Sequence, residues 1–224
     1  MRQIPRIPTD EGARGPHLSL TMRPPLLALI PLLVAPFPGH AQTCAPAHYR
    51  WDQKTDTSLV HAASTSVDVS DMLGWAPRSI TRKDKCAARV GREKKVYEVT
   101  AWVRRIRLHE TDGDWHVEIT EEEDSPVAAN CVIVEIPDPQ YGAVYAQVRH
   151  ALAGLVDTTS LSHAGDLPAA VQVTFAGKAF FDGYHQKHLA NGKAQAVQHG
   201  RCNASVSALW ELHPVYKVDA PPQP

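Results

Sequence analysis

Val96-Tyr97-Glu98-Val99-Thr100-Ala101-Trp102-Val103, running on to Leu108, is the stretch from which the fold is read. Its β-branched and aromatic content predicts a long strand. Asp112-Gly113 behind it is a hairpin signal. A second strand follows, Trp115-His116-Val117-Glu118-Ile119-Thr120. Its alternation sets Trp115, Val117 and Ile119 on one face and His116, Glu118 and Thr120 on the other. After a polar turn over 121–126, Cys131-Val132-Ile133-Val134-Glu135-Ile136 reads as a third strand, stopped by Pro137 and Pro139.

Residues 141–155 read as a helix, with Val144, Val148, Leu152 and Leu155 forming one apolar stripe. Gly154 and the Thr- and Ser-rich 157–166 end it. A fourth strand covers 171–181 with a kink at Gly177, a long polar loop spans 182–205, and the last strand is 209–218. Five strands with one helix between the third and fourth predict a mainly β domain, an OB-like Greek-key barrel over 93–219. An open α+β sheet of the same elements is the alternative, because strand pairing is not visible in one sequence. Residues 42–92 read as an irregular arm packed on that domain, since Trp51 and Trp75 need a surface to cover. A single helical turn is expected at 70–74, and 220–224 form a Pro-rich tail.

The chain has 224 residues, a net charge of −1 and 43% hydrophobic residues, which excludes wholesale disorder and a supercharged polyanion binder. Residues 24–36 are an apolar run after Arg23, followed by Gly39-His40-Ala41. They read as a secretory signal peptide within an upstream extension, 1–41, with Met22 as an alternative start. The run is too short for a transmembrane helix, so the expected mature chain, 42–224, is exported to the periplasm or beyond and has no membrane span. Cys44 lies three positions past Ala41, which argues against lipidation. Cys44, Cys86, Cys131 and Cys202 all fall in the exported part and are disulfide candidates. Of three connectivities, Cys44–Cys86 with Cys131–Cys202 is preferred. No CxxC pair suggests a cysteine zinc site.

Four segments together resemble a group of exported bacterial proteins of unassigned function. They are Asp112-Gly113-Asp114-Trp115-His116, Glu135-Ile136-Pro137, Phe180-Phe181-Asp182 with His185, and Glu211-Leu212-His213-Pro214-Val215. In that group the motifs DGDxH, EIP, FFDxxHGQ and IELHPV recur in this order. The likeness runs from about Trp51 to Val218 and implies an OB-like barrel and an export route, with no activity attached. The chain departs from the pattern after Phe180-Phe181-Asp182. There the loop is longer, carries Cys202 and has His185-Gln186-Lys187 in place of His-Gly-Gln. The turn at Pro137-Asp138-Pro139 also lacks a cysteine that many relatives carry.

Asp114, His116, Asp182, His185, Glu211 and His213 are the metal-ligating candidates. The Asp-x-His and Glu-x-His spacings put each pair on one side of its strand, and imidazoles with carboxylates suit zinc or a harder divalent ion. The bland alternative is turn capping and structural hydrogen bonding. No nucleophile elbow and no phosphate-binding glycine loop occur, so no catalytic residue is assigned. Trp102, Arg105 and Trp115 are candidates for a binding face, as OB barrels use aromatic and basic side chains there. Against this, the tryptophans would serve equally well as core and the arginines as a solvated rim. The acidic run Glu121-Glu122-Glu123-Asp124 disfavours a phosphate backbone, so a glycan or peptide partner is expected over nucleic acid. The expectation is a non-enzymatic exported binding module without a cofactor. The alternative is a metal-dependent hydrolase holding a divalent ion through Asp114, His116, His185 and His213.

Overall fold

The computed structural model describes residues 48–125, 131–202 and 205–223. The upstream extension, the signal-peptide segment and Cys44 lie outside the described residues, and with Cys44 the expected Cys44–Cys86 bridge. The elements run α1 (Trp51–Lys54), β1 (Ser64–Ser66), α2 (Val69–Leu73), β2 (Val96–Arg107), β3 (Trp115–Thr120) and β4 (Cys131–Ile136). They continue with α3 (Ala143–Leu155), β5 (Asp166–Phe181), β6 (Gln186–His188), β7 (Ala194–Ala196) and β8 (Trp210–Asp219). The protein is mainly β, and α3 is the one described helix longer than six residues. No described helix is long and apolar enough to cross a membrane.

The main sheet has the order β1-β2-β3-β4-β8-β5, and β2 pairs with β5 as well as with β3. Hydrogen bonding therefore runs from β2 through β3, β4, β8 and β5 and returns to β2. All pairs in this ring are antiparallel except β4 with β8. The length of β2 and β5 makes the return possible, because each meets a different partner along each part of its course. Two irregularities shape these strands. The register of β2 shifts between Val103 and Arg105, and a bulge of this kind bends a strand and re-aims its side chains. On β5 the register shifts on either side of Gly177. A Cβ there would stand 2.7 Å from the Pro214 carbonyl oxygen, so the backbones meet at that point because position 177 carries no side chain.

Alternate residues of the strands build the apolar core. Val99, Ala101, Val103, Val117, Ile119, Val132, Val134, Ile136, Phe175, Phe181 and Leu212 are at most 0–1% exposed. Burying each large side chain contributes about 1.5–3 kcal/mol. Val148 and Leu152 of α3 join this core, while Tyr145 packs with Val96 and Tyr216. Arg149 donates to the carbonyls of Gly113 (2.6 Å) and Ile136 (2.8 Å) and lies over the Trp115 ring.

The segment before β2 is more ordered than an irregular arm. It contributes strand β1, parallel to β2, and its Val69, Met72 and Trp75 enter the core. Trp75 packs against Tyr97 and edge-on to Trp210. Farther back, Arg50 is buried over the Phe180 ring, donating to Glu93 Oε1 (2.8 Å) and to the Phe181 carbonyl (3.0 Å). Glu93, itself fully buried, also pairs with Arg78. A buried carboxylate with two guanidinium partners is compensated, so this knot holds the arm in one place.

Candidate functional site

The residues left over by the core alternation form a second, polar surface. On β3, Val117 and Ile119 face the core, so His116, Glu118 and Thr120 face away from it. On β4 the corresponding residues are Cys131, Ile133 and Glu135, and on β8 they include Glu211 and His213. Register then sets the neighbours. His116 stands opposite Glu135, Glu118 opposite Ile133, and Ile133 in turn opposite Glu211. On an exposed sheet face these polar residues would be solvated; here His116, Glu118, Glu135, Glu211 and His213 are all buried.

What covers them is the loop between β5 and β8. Asp182 opens it by accepting from Tyr184 N (3.0 Å), and β6 and β7 form a small hairpin. The loop is then stapled to the sheet by the Cys131–Cys202 disulfide, as expected for that pair. Cys202 N donates back to the His199 carbonyl (3.1 Å), so the bridge fixes where His199 lies. Gly200 completes the approach. Its φ is +56°, and a Cβ on it would come within 2.4 Å of Glu118 Oε1 and 2.6 Å of His116 Nε2. Glycine alone suits both the backbone conformation and the space.

Two groups of ionisable side chains result. In the first, His116 Nδ1 lies 2.7 Å from Glu135 Oε1, and its Nε2 lies 3.4 Å from Glu118 Oε1. That Glu118 oxygen already accepts from Arg105 Nη1 (2.6 Å) and Arg201 N (2.9 Å). Burial disfavours the imidazolium of His116, but Glu135 and Glu118 outweigh it and raise its pKa to about 10. For Glu135 burial wins over the pull of His116 and pushes the carboxyl up. The second group is a chain. Asp114 Oδ2 is 3.2 Å from His213 Nε2, His213 Nδ1 is 3.1 Å from Glu211 Oε1, and Glu211 Oε2 is 3.2 Å from His199 Nε2. His199 also lies 3.6 Å from Asp182 and stacks on His185, whose ring is held low by burial. Burial would raise Glu211, yet His199 and His213 bring its carboxyl below the usual range. Asp114 is likewise held low, against burial, by His213.

This polar floor opens into a cleft of about 660 Å³ whose walls come from three places. The arm supplies Tyr49, Trp51 and Lys54, the β2–β3 hairpin supplies Arg105, Arg107 and Asp112, and the long loop supplies Tyr184, His185 and Arg201. Burial opposes the charge of Lys54, but Asp182, Glu211 and Glu135 together raise its pKa. Two sets of possible metal donors lie in the cleft, His116 with Glu135 and His199, and Asp182 with His185 and His199. Within each set the donor atoms lie within 4.8 Å of one another.

All six sequence-derived metal candidates belong to this region, distributed over both groups. Four participants were not among them: Glu118, Glu135, His199 and Lys54. Glu118 had a signal, since it falls on the same face as His116 in an alternating strand, whereas Glu135 meets His116 through strand register. His199 had only its place in a loop that also carries His185 and His188, where exposed histidines are the ordinary reading; its position follows from the disulfide. Of Trp102, Arg105 and Trp115, the structure brings only Arg105 into the cleft. Trp115 lies beneath Arg149, and Trp102 stands opposite Thr120 at the far end of β3. The bulge after Val103 sets Arg105 opposite Glu118, on the same face as Trp102 and Thr120 but nearer the cleft. Comparison with family models, with curated proteins and with solved structures finds no match to this chain.

Proposed function

We propose that the chain is an exported OB-like binding module whose ligand seat is the cleft over the polar face of β3, β4 and β8. The ring of pairings through β2, β3, β4, β8 and β5, with its parallel β4–β8 pair and α3 between β4 and β5, supports the Greek-key barrel reading. The Cys131–Cys202 bridge is compatible with an oxidising destination, as the apolar segment before Ala41 and the resemblance to exported proteins imply. One observation carries the ligand assignment. The open cleft has aromatic rings at its wall, Trp51 and the half-exposed Tyr184, above a floor of buried carboxylates and imidazoles. Flat apolar faces beside fixed polar groups suit an extended polar ligand such as a glycan, whose hydroxyls can meet the carboxylates and imidazoles of the floor. The test is binding to glycan, peptide and oligonucleotide arrays by the full chain and by Trp51→Ala with Tyr184→Ala. Selective glycan binding that falls at least about tenfold in the double variant supports the seat. Glycan binding undiminished by those changes sinks it.

A second reading, a metal-dependent hydrolase, is favoured by a separate observation, the clustering of His116, Glu135 and His199 donor atoms on the cleft floor. It requires turnover that a chelator abolishes. A folded, metal-loaded protein inert toward glycosidic, ester and peptide substrates would leave binding alone.

A further inference from the structure

We propose that His116, Glu135 and His199 hold a single divalent ion of the zinc type at the base of the cleft. The proposal deepens the assignment of this cleft as the ligand seat and takes its location from that reading, but the ion is measured without any organic ligand.

The three residues come from β3, β4 and the stapled loop, are 5%, 7% and 4% exposed, and all line the cleft. Their donor atoms lie within 4.8 Å of one another, within side-chain adjustment of the about 2.0–2.2 Å bonds that zinc makes to nitrogen and oxygen. His199 Nδ1 is buried without a hydrogen-bond partner, and His116 Nε2 has only its 3.4 Å contact with Glu118. A buried polar atom without a partner costs about 1–3 kcal/mol, and an ion held between the two rings would offset that cost. The Glu118 oxygen in that long contact already accepts from Arg105 and Arg201.

The donor set selects the ion. Two imidazoles and one carboxylate suit zinc and its neighbours, whereas calcium and magnesium take oxygen ligands. Three protein ligands at the wall of an open cleft leave a further position facing the cleft, the pattern of reactive rather than purely structural zinc sites. The competing clusters are weaker. In the Asp182–His185–His199 set Asp182 gives only its other oxygen to Tyr184 N, but His185 is partly exposed. In Glu118–Cys131–Cys202 the two sulfurs are joined to each other. The surrounding elements are already in place: the strand ladder sets His116 against Glu135, and the disulfide with Gly200 sets His199 over them.

The experiment uses the full chain without a histidine tag, stripped with a chelator and titrated with zinc by calorimetry and with cobalt(II) by visible spectroscopy. One ion per chain is expected, with a cobalt spectrum of low coordination number. His116→Ala and His199→Ala should each lower affinity at least about 100-fold while circular dichroism shows the fold retained. Glu135→Gln, close in shape to glutamate, keeps the test open if an alanine variant fails to fold, and it should weaken binding at least about tenfold. His185→Ala should leave the stoichiometry unchanged. A folded wild-type chain that takes up no zinc overturns the proposal, and so does binding that survives Glu135→Gln and His116→Ala but disappears in His185→Ala. Either failure leaves glycan binding by the same cleft to be judged on its own assay.

Discussion

The two faces of β3, β4 and β8 are equally buried and chemically opposite. One carries Val117, Ile119, Val132, Val134 and Leu212; the other carries His116, Glu118, Glu135, Glu211 and His213. Apolar burial stabilises without direction, so the first face needs only good packing. The second must match each charge to a partner, since an unpaired buried charge is costly. The match is incomplete: Asp114 Oδ2, Glu118 Oε2 and Glu211 Oε2 also lack aligned hydrogen bonds, although the first lies within ion-pair distance of His213 and the last of His199. A face retained at that cost fits a site better than a scaffold, because functional sites are where stability is commonly given up.

Neighbouring positions on β8 put this contrast to its hardest test. Leu212→Ala should destabilise the fold by about 2–5 kcal/mol in urea titration, with zinc still bound at one ion per chain below the transition. Loss of zinc binding in folded Leu212→Ala would erase the distinction between the faces. Next in size, replacing Cys131 and Cys202 together by alanine should cost about 2–4 kcal/mol. It should also weaken zinc binding, since the bridge positions His199; unchanged affinity would show that the loop holds its place unaided.

Gly200→Ala probes the polar face from the loop side. The positive φ and the close approach to Glu118 and His116 predict a loss of about 1–3 kcal/mol in thermal unfolding, together with weaker zinc binding. An alanine tolerated there would mean that the loop stands farther from the sheet. The smallest effect is expected at the rim. Arg201 makes a paired contact with the Asp166 carboxylate, and both are about a third or more exposed. Arg201→Ala should therefore change stability by less than about 1 kcal/mol. Arg201 holds the Asp166 carboxyl below its ordinary value. Its contribution is thus present above the ordinary carboxylate range and is lost as pH falls through the lowered value. The difference between wild type and Arg201→Ala should shrink on acidification, and a difference that grows in acid would contradict the pairing.

Much of the architecture was legible from local pattern. The strands at 115–120 and 131–136 fall on the predicted residues, β2 ends one residue early, and the last strand is displaced by one. Alternation and β-branched content are short-range signals, and tertiary packing here reinforces them. The helix starts at Ala143 rather than 141, because Pro139 to Tyr141 form a tighter turn capped by Asp138. Less legible was the front of β5. It begins at Asp166 rather than 171, extended by pairing with Arg105 beyond the β2 bulge. Strand β1 was missed altogether, since Ser64-Thr65-Ser66 has no apolar residue and is a strand through its pairing with β2.

The sequence by itself determined the element order, the assignment of Val117, Ile119 and Leu212 to one face and His116, Glu118 and Glu211 to the other, and the stock of ionisable groups from which a site is made. These follow from the period of two in a strand and from turn chemistry, which act over a few residues. Only the tertiary structure decided that the polar face would be buried, that Glu135 would meet His116, and that His199 would reach both. Strand register, a bridge between Cys131 and Cys202, and a glycine small enough to let the loop descend act between residues distant in the chain. The chemistry of the cleft depends on those long-range choices, and no local pattern encodes them.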